Sequence, residues 1–460
     1  MAQSIGFYGA AETVTGSRHI LSFENKKVLV DCGLFQGNKE LRQRNWEEFP
    51  VDPNDLDAVV ITHAHLDHIG WLPRLVAKGY RGPIYATRAT IELCKISLPD
   101  SGRLQEEEAH FSNKHGTSHT PALPLYDEKA AYECLKYFSH VDYNSLHDLP
   151  GHAHFRFLTA GHILGSAFAE ITFRDGTSIL MSGDLGRYNT PIIKDPTPVE
   201  YADYLVIEST YGDRIHSHED PLEKIASIAR DTAENGGALI IPSFAIGRTQ
   251  ELLYYFRVLQ DQKRMPRIPI YIDSPMAVSV THVYAGAKEE LDEEMVRSVE
   301  SGHSELEPDG INFVRDRETS KALNSQHGPL IIVSGSGMAN GGRVTHHLQH
   351  RLSNPTTTVL FTGYQAEGTL GRRLIEGAPS VHIHGMEVDV KARIEKVNAL
   401  SAHADQAEIL KWLGFFKRPP KQTFIVHGEP PAQEALQQKI EEQLNWRTVI
   451  PKQGQQFELP

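Results

Sequence analysis

The segment AVVITHAHLDHIG, residues 58–70, sets the strongest constraint on this chain. An apolar run closes on His63, His65, Asp67 and His68. Desolvating such groups is costly unless each finds a partner, so a chain that crowds them behind a buried run must have something for them to hold. His63 and His65 stand two apart on extended or loop backbone, whereas Asp67 and His68 are adjacent and point in different directions. Two directions imply two metal ions. Imidazole and carboxylate donors without thiolates suit Zn2+, with Mn2+ or Fe2+ as substitutes.

The same arrangement recurs along the chain. Asp31, His63, His162, Asp184, Glu208 and His427 each stand at or just past the end of an apolar run: KVLVDCG, AVVITHAH, FRFLTAGH, SILMSGD, YLVIEST and TFIVHGE. Runs of this length and composition predict strands buried on both faces. The carboxyl ends of such strands are where α/β sheets place ligands. Between the runs lie helical stretches such as DPLEKIASIARDTAENGG and GRTQELLYYFRVLQDQ, and the alternation predicts an α/β fold. Residues 95–150 read as a polar, helical cover, and the first strand is expected from residue 4.

A length of 460 residues exceeds one ordinary core and predicts two or three units. Three scattered cysteines, Cys32, Cys94 and Cys134, form no CxxC pair and argue against both a disulfide framework and a thiolate metal site. The start MAQSIGFYGAAETV has neither a basic leader nor an apolar core, and no run approaches the ~18 apolar residues of a membrane span. A cytoplasmic protein without membrane contact is expected. The net charge of −13 repels polyanions on average, so a nucleic-acid partner needs a local basic or metal-lined groove.

One such groove is expected around SGSGMANGGR, which follows the PLIIV run and leads into a helix. Its small residues can turn amides toward a phosphate, with Ser336 and Gly337 best placed. Arg248, opening the GRTQELL helix, and Arg372 in GTLGRRL are expected to add guanidinium contacts. His346 and His350 in THHLQHR are expected on an exposed helix face, and QEEEA at 105–109 on a solvated one.

THAHLDHIG, with DCG before it and GHILGS and SGDLG after it, resembles the successive motifs of the metallo-β-lactamase superfamily. VIESTYGD, LSAHAD and VHGE resemble motifs A, B and C of its β-CASP branch, and GAAETVTGS, PSFAIGRTQELL, SGSGMANGGR and GYQAEGTLGRRL extend the likeness over the whole chain. RNA-directed members, similar to the nuclease subunit of the cleavage and polyadenylation specificity factor and its bacterial and archaeal relatives, carry histidine at motif C, as this chain does at His427.

The resemblance implies a four-layer αββα metallo-β-lactamase fold built from residues 1–208 and 396–460, with an inserted α/β β-CASP domain over 209–395. It implies one ion held by His63, His65 and His162, a second by Asp67, His68 and His427, and Asp184 between them. The catalytic set is expected to be His403, Glu208, Asp67 and Asp31, with His403 as general acid, Glu208 raising its pKa, and Asp31 orienting a ligand. The implied activity is a zinc-dependent ribonuclease, endonuclease or 5′-exonuclease or both, acting on single-stranded RNA and leaving 5′-phosphate and 3′-hydroxyl ends. A dinuclear hydrolase of small esters or thioesters, a DNA-directed β-CASP nuclease and an inactive scaffold are the alternatives, and a homodimer stays open.

Overall fold

Every apolar run named above is a strand in the computed structural model, which describes residues 3–116, 121–217, 220–300, 306–363, 365–397 and 400–460. The chain forms two units, one of Met1–Thr190, Lys194–Ile215 and His403–Pro460, the other of Pro191–Ile193 and His216–Ala402. The edges of the insertion thus fall a few residues past 208 and 395. Residues 209–215 stay with the first unit because Gly212 lies flush on the helix Pro430–Leu444, where an added Cβ would sit 2.4 Å from the Ala432 carbonyl oxygen.

In the first unit, two seven-stranded sheets face each other. One runs in the order Gln456–Glu458, Ser4–Phe7, His19–Phe23, Lys26–Val30, Ala58–Val60, Ile84–Ala86 and Phe138–His140. The other runs Thr448–Val449, Gln422–Val426, Tyr204–Glu208, Ser178–Met181, Ala167–Thr172, Ala153–Thr159 and His147–Leu149. Ile5, Phe7, Val30 and Val60 meet Phe155, Phe157, Val206 and Phe424 between the sheets. Leu205, Ile207 and Ile425 alternate to the outer face, against Ile409 and Trp412 of the helix Gln406–Leu413 and Leu436 of Pro430–Leu444. Helices Leu72–Ala77, Arg88–His115 and Glu128–Leu135 complete the four-layer αββα order. Each fully buried Leu, Val or Phe contributes about 1.5–3 kcal/mol, so apolar burial holds the strands while their ends are left for chemistry.

Phe138–His140 and His147–Leu149 fall inside the stretch expected to be helical. They are three-residue edge strands built largely from polar residues, and a pattern search for apolar runs passes over them. The cysteines are all buried and unpaired, and QEEEA is solvated apart from Gln105 and Ala109. No helix among the described residues is long and apolar enough to cross a membrane.

The inserted unit is built on a six-stranded sheet in the order Ile311–Phe313, Ile270–Ile272, Leu330–Ser334, Ala238–Pro242, Thr358–Phe361 and Arg393–Lys396, with every pairing parallel. Val344 and Leu348 of the helix Arg343–Arg351 bury against Ile240 and Val359. At the carboxyl end of Ile270–Ile272 lies Asp273, fully buried. Its Oδ1 accepts from Arg343 (2.7 Å) and its Oδ2 from Ser320 Oγ (2.6 Å) and His347 Nε2 (2.7 Å). Sequence reading missed this network. His347 lies between the exposed His346 and His350, but it shares the inward face of the helix with Val344 and Leu348.

Burial pushes the Asp273 carboxyl up, but its bonds to His347, Ser320 and Arg343 outweigh this and hold it below the ordinary value. A carboxyl depressed on folding adds stability that is complete above its unfolded pKa of about 4 and is lost as pH falls below that. Asp273→Ala is expected to lose about 3–5 kcal/mol at pH 7 in urea unfolding, the range for removing one partner of a buried pair. Its loss relative to the parent chain should shrink as the pH is lowered from 5 to 3.

Candidate metal centre

His65 occupies extended backbone at the position before the one-turn helix Leu66–Ile69, making no side-chain cap bond to it, and His63 stands two residues earlier in the loop. Asp67 and His68 lie on that turn, which is why the motif presents its donors in two directions. The turn is fastened to the DCG segment: Cys32 N donates to the His68 carbonyl (2.7 Å) and Leu34 N to that of Leu66 (2.9 Å). Between them Gly33 crosses so closely that a Cβ would stand 1.6 Å from the Asp67 carbonyl oxygen. Only glycine fits there.

The side chains converge. His65 Nδ1 lies 3.1 Å from His63 Nε2 and 3.2 Å from His162 Nε2. Across from these, His427 Nε2 lies 3.2 Å from His68 Nε2 and 3.3 Å from Asp67 Oδ2. Asp184 joins the two groups through opposite oxygens. Its Oδ2 is 3.3 Å from His63 Nε2 and 3.4 Å from His162 Nε2, while its Oδ1 is 3.3 Å from His68 Nε2 and 3.4 Å from His427 Nδ1.

The spacing fits metal ions. Three ring nitrogens aimed at one point cannot all be satisfied by a proton, whereas nitrogens ~2.0–2.1 Å from a tetrahedral zinc stand about 3.3 Å apart. Asp184 Oδ1 is buried without a hydrogen-bond donor, an orphaned acceptor whose chemistry suits a divalent cation. Burial, together with neighbouring imidazoles, holds His63 and His162 below their ordinary pKa and brings His65 down to about 3, which leaves these rings neutral and their lone pairs available. Burial acts on His68 in the same sense, but Asp184 and Asp31 outweigh it and hold this ring well above the ordinary value.

A layer of partners fixes the rings. Asp31, in the left-handed region at φ 58°, accepts from His68 Nδ1 at 2.7 Å and from Thr62 N and Oγ1 at 2.9 and 3.1 Å. Thr62 Oγ1 also lies 3.1 Å from His63 Nδ1, and Thr210 Oγ1 3.1 Å from His427 Nδ1. Behind Asp31, the buried His19 meets Ser17 Oγ at 3.4 Å. Ser17 closes the GAAETVTGS stretch, whereas His19 lies in no quoted motif and carries no signal in one sequence.

His403 and Glu208 form a pair beside the cluster. Glu208, fully buried, places both carboxylate oxygens 3.1 Å from His403 Nδ1 and accepts from Leu185 N at 2.6 Å. His403 Nδ1 is 3.9 Å from Asp184 Oδ2. Asp405 caps the helix Gln406–Leu413, while His403, two residues earlier, turns to the site.

Ser336, Gly337, Arg248 and Arg372 all belong to the inserted unit, on the segments that follow the carboxyl ends of its strands Leu330–Ser334, Ala238–Pro242 and Thr358–Phe361. Gln365 Nε2 donates to the Gly337 carbonyl (3.1 Å) and Gly371 N to that of Met338 (3.1 Å), which ties SGSGMANGGR to the segment carrying Arg372. Tyr364 of that segment lies outside the described residues. The guanidinium of Arg248 is nearly buried and paired with Glu251, and Arg372 Nε meets Glu376 Oε1 at 2.6 Å. Sequence spacing could not reveal these pairings. Of the two arginines, Arg372 is the more exposed.

The geometry around Asp31 yields one expectation. Asp31→Ala frees the His68 ring and should weaken divalent-cation binding about 10–100-fold, read by competition with a chromogenic chelator. Unchanged affinity would mean that the ring is positioned without it.

Three family models match the chain: the metallo-β-lactamase superfamily over residues 20–234, the β-CASP domain over 249–374, and a Zn-dependent metallo-hydrolase RNA specificity domain over 387–451. A ribonuclease of Thermus thermophilus is 39% identical over 92% of each chain. An RNase J-like protein of Methanocaldococcus jannaschii is 31% identical over 97% of this chain and 98% of its own. A transcription termination factor of the same organism is 30% identical over 92% of this chain and 67% of its own. A solved protein of unknown function from Enterococcus faecalis V583 shares the fold at a TM-score of 0.53 with 13% identity, over the full length of both. With domain models in this order and near-full-length relatives, the chain belongs to the metallo-β-lactamase superfamily, in its β-CASP branch of metallo-hydrolases.

Proposed function

We propose that this protein is a metal-dependent ribonuclease that hydrolyses phosphodiester bonds of single-stranded RNA, as an endonuclease, a 5′-exonuclease or both, leaving 5′-phosphate and 3′-hydroxyl ends. The observation that carries this reading is the His403–Glu208 pair standing 3.9 Å from the shared carboxylate of Asp184, next to two converging donor groups. The ribonuclease relative and the RNA specificity model over 387–451 favour RNA over DNA or a small ester.

His63, His65 and His162 would hold one divalent ion, Asp67, His68 and His427 the other, with Asp184 shared. Two zinc ions there would activate water and neutralise the phosphoryl oxygens as charge builds in an in-line displacement. The leaving oxygen still needs a proton. Burial pulls the His403 imidazole down, but Glu208 and then Asp184 outweigh it and carry it up to about 9. The ring is therefore protonated at neutral pH and can act as general acid. Asp31 contributes through the ring of His68, and Asp67 supplies the carboxylate of the second group. In the inserted unit, Ser336, Gly337 and Arg372 would take backbone phosphates, local attraction that offsets the net charge of −13. Arg248 adds to this only if its pairing with Glu251 opens.

End-labelled RNA of defined 5′ chemistry should be cleaved when zinc is bound, while matched DNA and a thioester panel are not; the reverse preference would sink the reading. His403→Ala is expected to slow RNA cleavage by about 10²–10⁴ with unchanged metal content by elemental analysis. The acid form of His403 is full below its pKa and lost as pH rises through about 9. Glu208→Gln removes the larger of the two raising charges, so the high-pH limb of the rate profile should move down toward about 6.5.

A further inference from the structure

We propose that Phe244 is a stacking platform for a nucleobase of the bound strand, an inference that rests on the ribonuclease reading. A single exposed phenylalanine says little, since apolar residues scatter over every surface. The position of this one in the sheet says more. Ala238–Pro242 and Leu330–Ser334 are adjacent parallel strands. From Ala238–Pro242 the chain crosses to Ile270–Ile272 on one side, and from Leu330–Ser334 to Thr358–Phe361 on the other. The two connections run in opposite directions, each past the other's strand, and right-handed crossovers of opposite direction lie on opposite faces of a sheet; between them the carboxyl edge opens into a crevice, where ligands of open α/β sheets bind. Phe244 begins the first connection and Gly335–Gly342 forms the second.

The ring is 41% exposed and lies on Gly337, where an added Cβ would stand 2.6–2.9 Å from its carbons. Glycine at 337 therefore seats an aromatic ring. The support beneath is fixed on both sides. The Phe244 carbonyl accepts from Thr249 N (3.2 Å) and Thr249 Oγ1 (2.8 Å), and Ser243 N donates to the Ser334 carbonyl (3.0 Å). In the facing loop, Ser336 N donates to the Gly341 carbonyl (3.2 Å), and Asn340 Oδ1 accepts from Leu370 N (2.8 Å). A fixed aromatic face beside a loop of small residues suits a strand whose base stacks while its phosphate meets amides. Every base has such a face, so the platform takes all four without reading sequence.

The test uses the full-length metal-loaded chain, single-stranded RNA, and Phe244→Ala, Phe244→Leu, Phe244→Tyr and Phe244→Trp. The alanine and leucine variants should raise KM about tenfold, and the tyrosine and tryptophan variants should stay within about twofold of the parent, because only they keep a π face. A hydrolysis-resistant RNA carrying 2-aminopurine at successive positions should be quenched at one position by the parent and not by Phe244→Leu. A leucine variant with the parent's KM and quenching overturns the platform and leaves the ribonuclease reading standing. Position-specific quenching without RNA cleavage by the parent would uphold the platform and overturn that reading. Neither binding nor cleavage would overturn both.

Discussion

The first unit turns on the carboxylate of Asp184, which is 2% exposed and presents one oxygen to each of two groups of donors. A buried carboxylate amid converging imidazoles is tolerable only if compensating positive charge sits among them. The nearby partners serve that condition: Asp31 on His68, Thr62 on His63, Thr210 on His427. Rings held from behind cannot swing away to relieve the crowding, and the crowding is what selects for cations.

The sheets meet the demand for rigidity cheaply. Strands buried in the sandwich stop abruptly at polar residues, and the segments that follow are cross-braced by backbone bonds, as where Ser182 N donates to the Val206 carbonyl and Gly186 N to that of Ala160. The Tyr204–Glu208 strand illustrates the economy: Val206 faces the space between the sheets, Leu205 and Ile207 face the helices, and the next residue is a carboxylate aligned with His403. The inserted unit follows the same plan, with Asp273 at the end of one strand clamped by His347 of the helix Arg343–Arg351, and Phe244 just past the end of another turned outward.

How much of this was legible in the sequence follows from the physics. Most strand positions could be read because a strand buried on both faces is an unbroken apolar run, and the donors because each stands where such a run ends; Ala153–Thr159 departs from this, pairing antiparallel on both sides and turning Arg156 to solvent. His403 and Glu208 are 195 positions apart, and no spacing rule links them; only the family resemblance pointed to the pair. The Asp273 clamp was hidden because its strand is three residues long and its histidine is flanked by exposed ones. The pairings of Arg248 with Glu251 and Arg372 with Glu376 sit at helical spacings that could equally have left the guanidinium groups open, so one sequence could not decide between a neutralised arginine and an available one.

The donor groups also differ in when they come into existence. His63, His65, His162 and Asp184 all lie in the first 184 residues, whereas Asp67 and His68 wait for His427, which is brought alongside only after the inserted unit has been made. At synthesis rates of ~5–20 residues per second, the interval is between about ten and fifty seconds. During translation every residue of one donor group is therefore present before the last residue of the other has been made, while both sheets that carry them still await strands from the final forty residues.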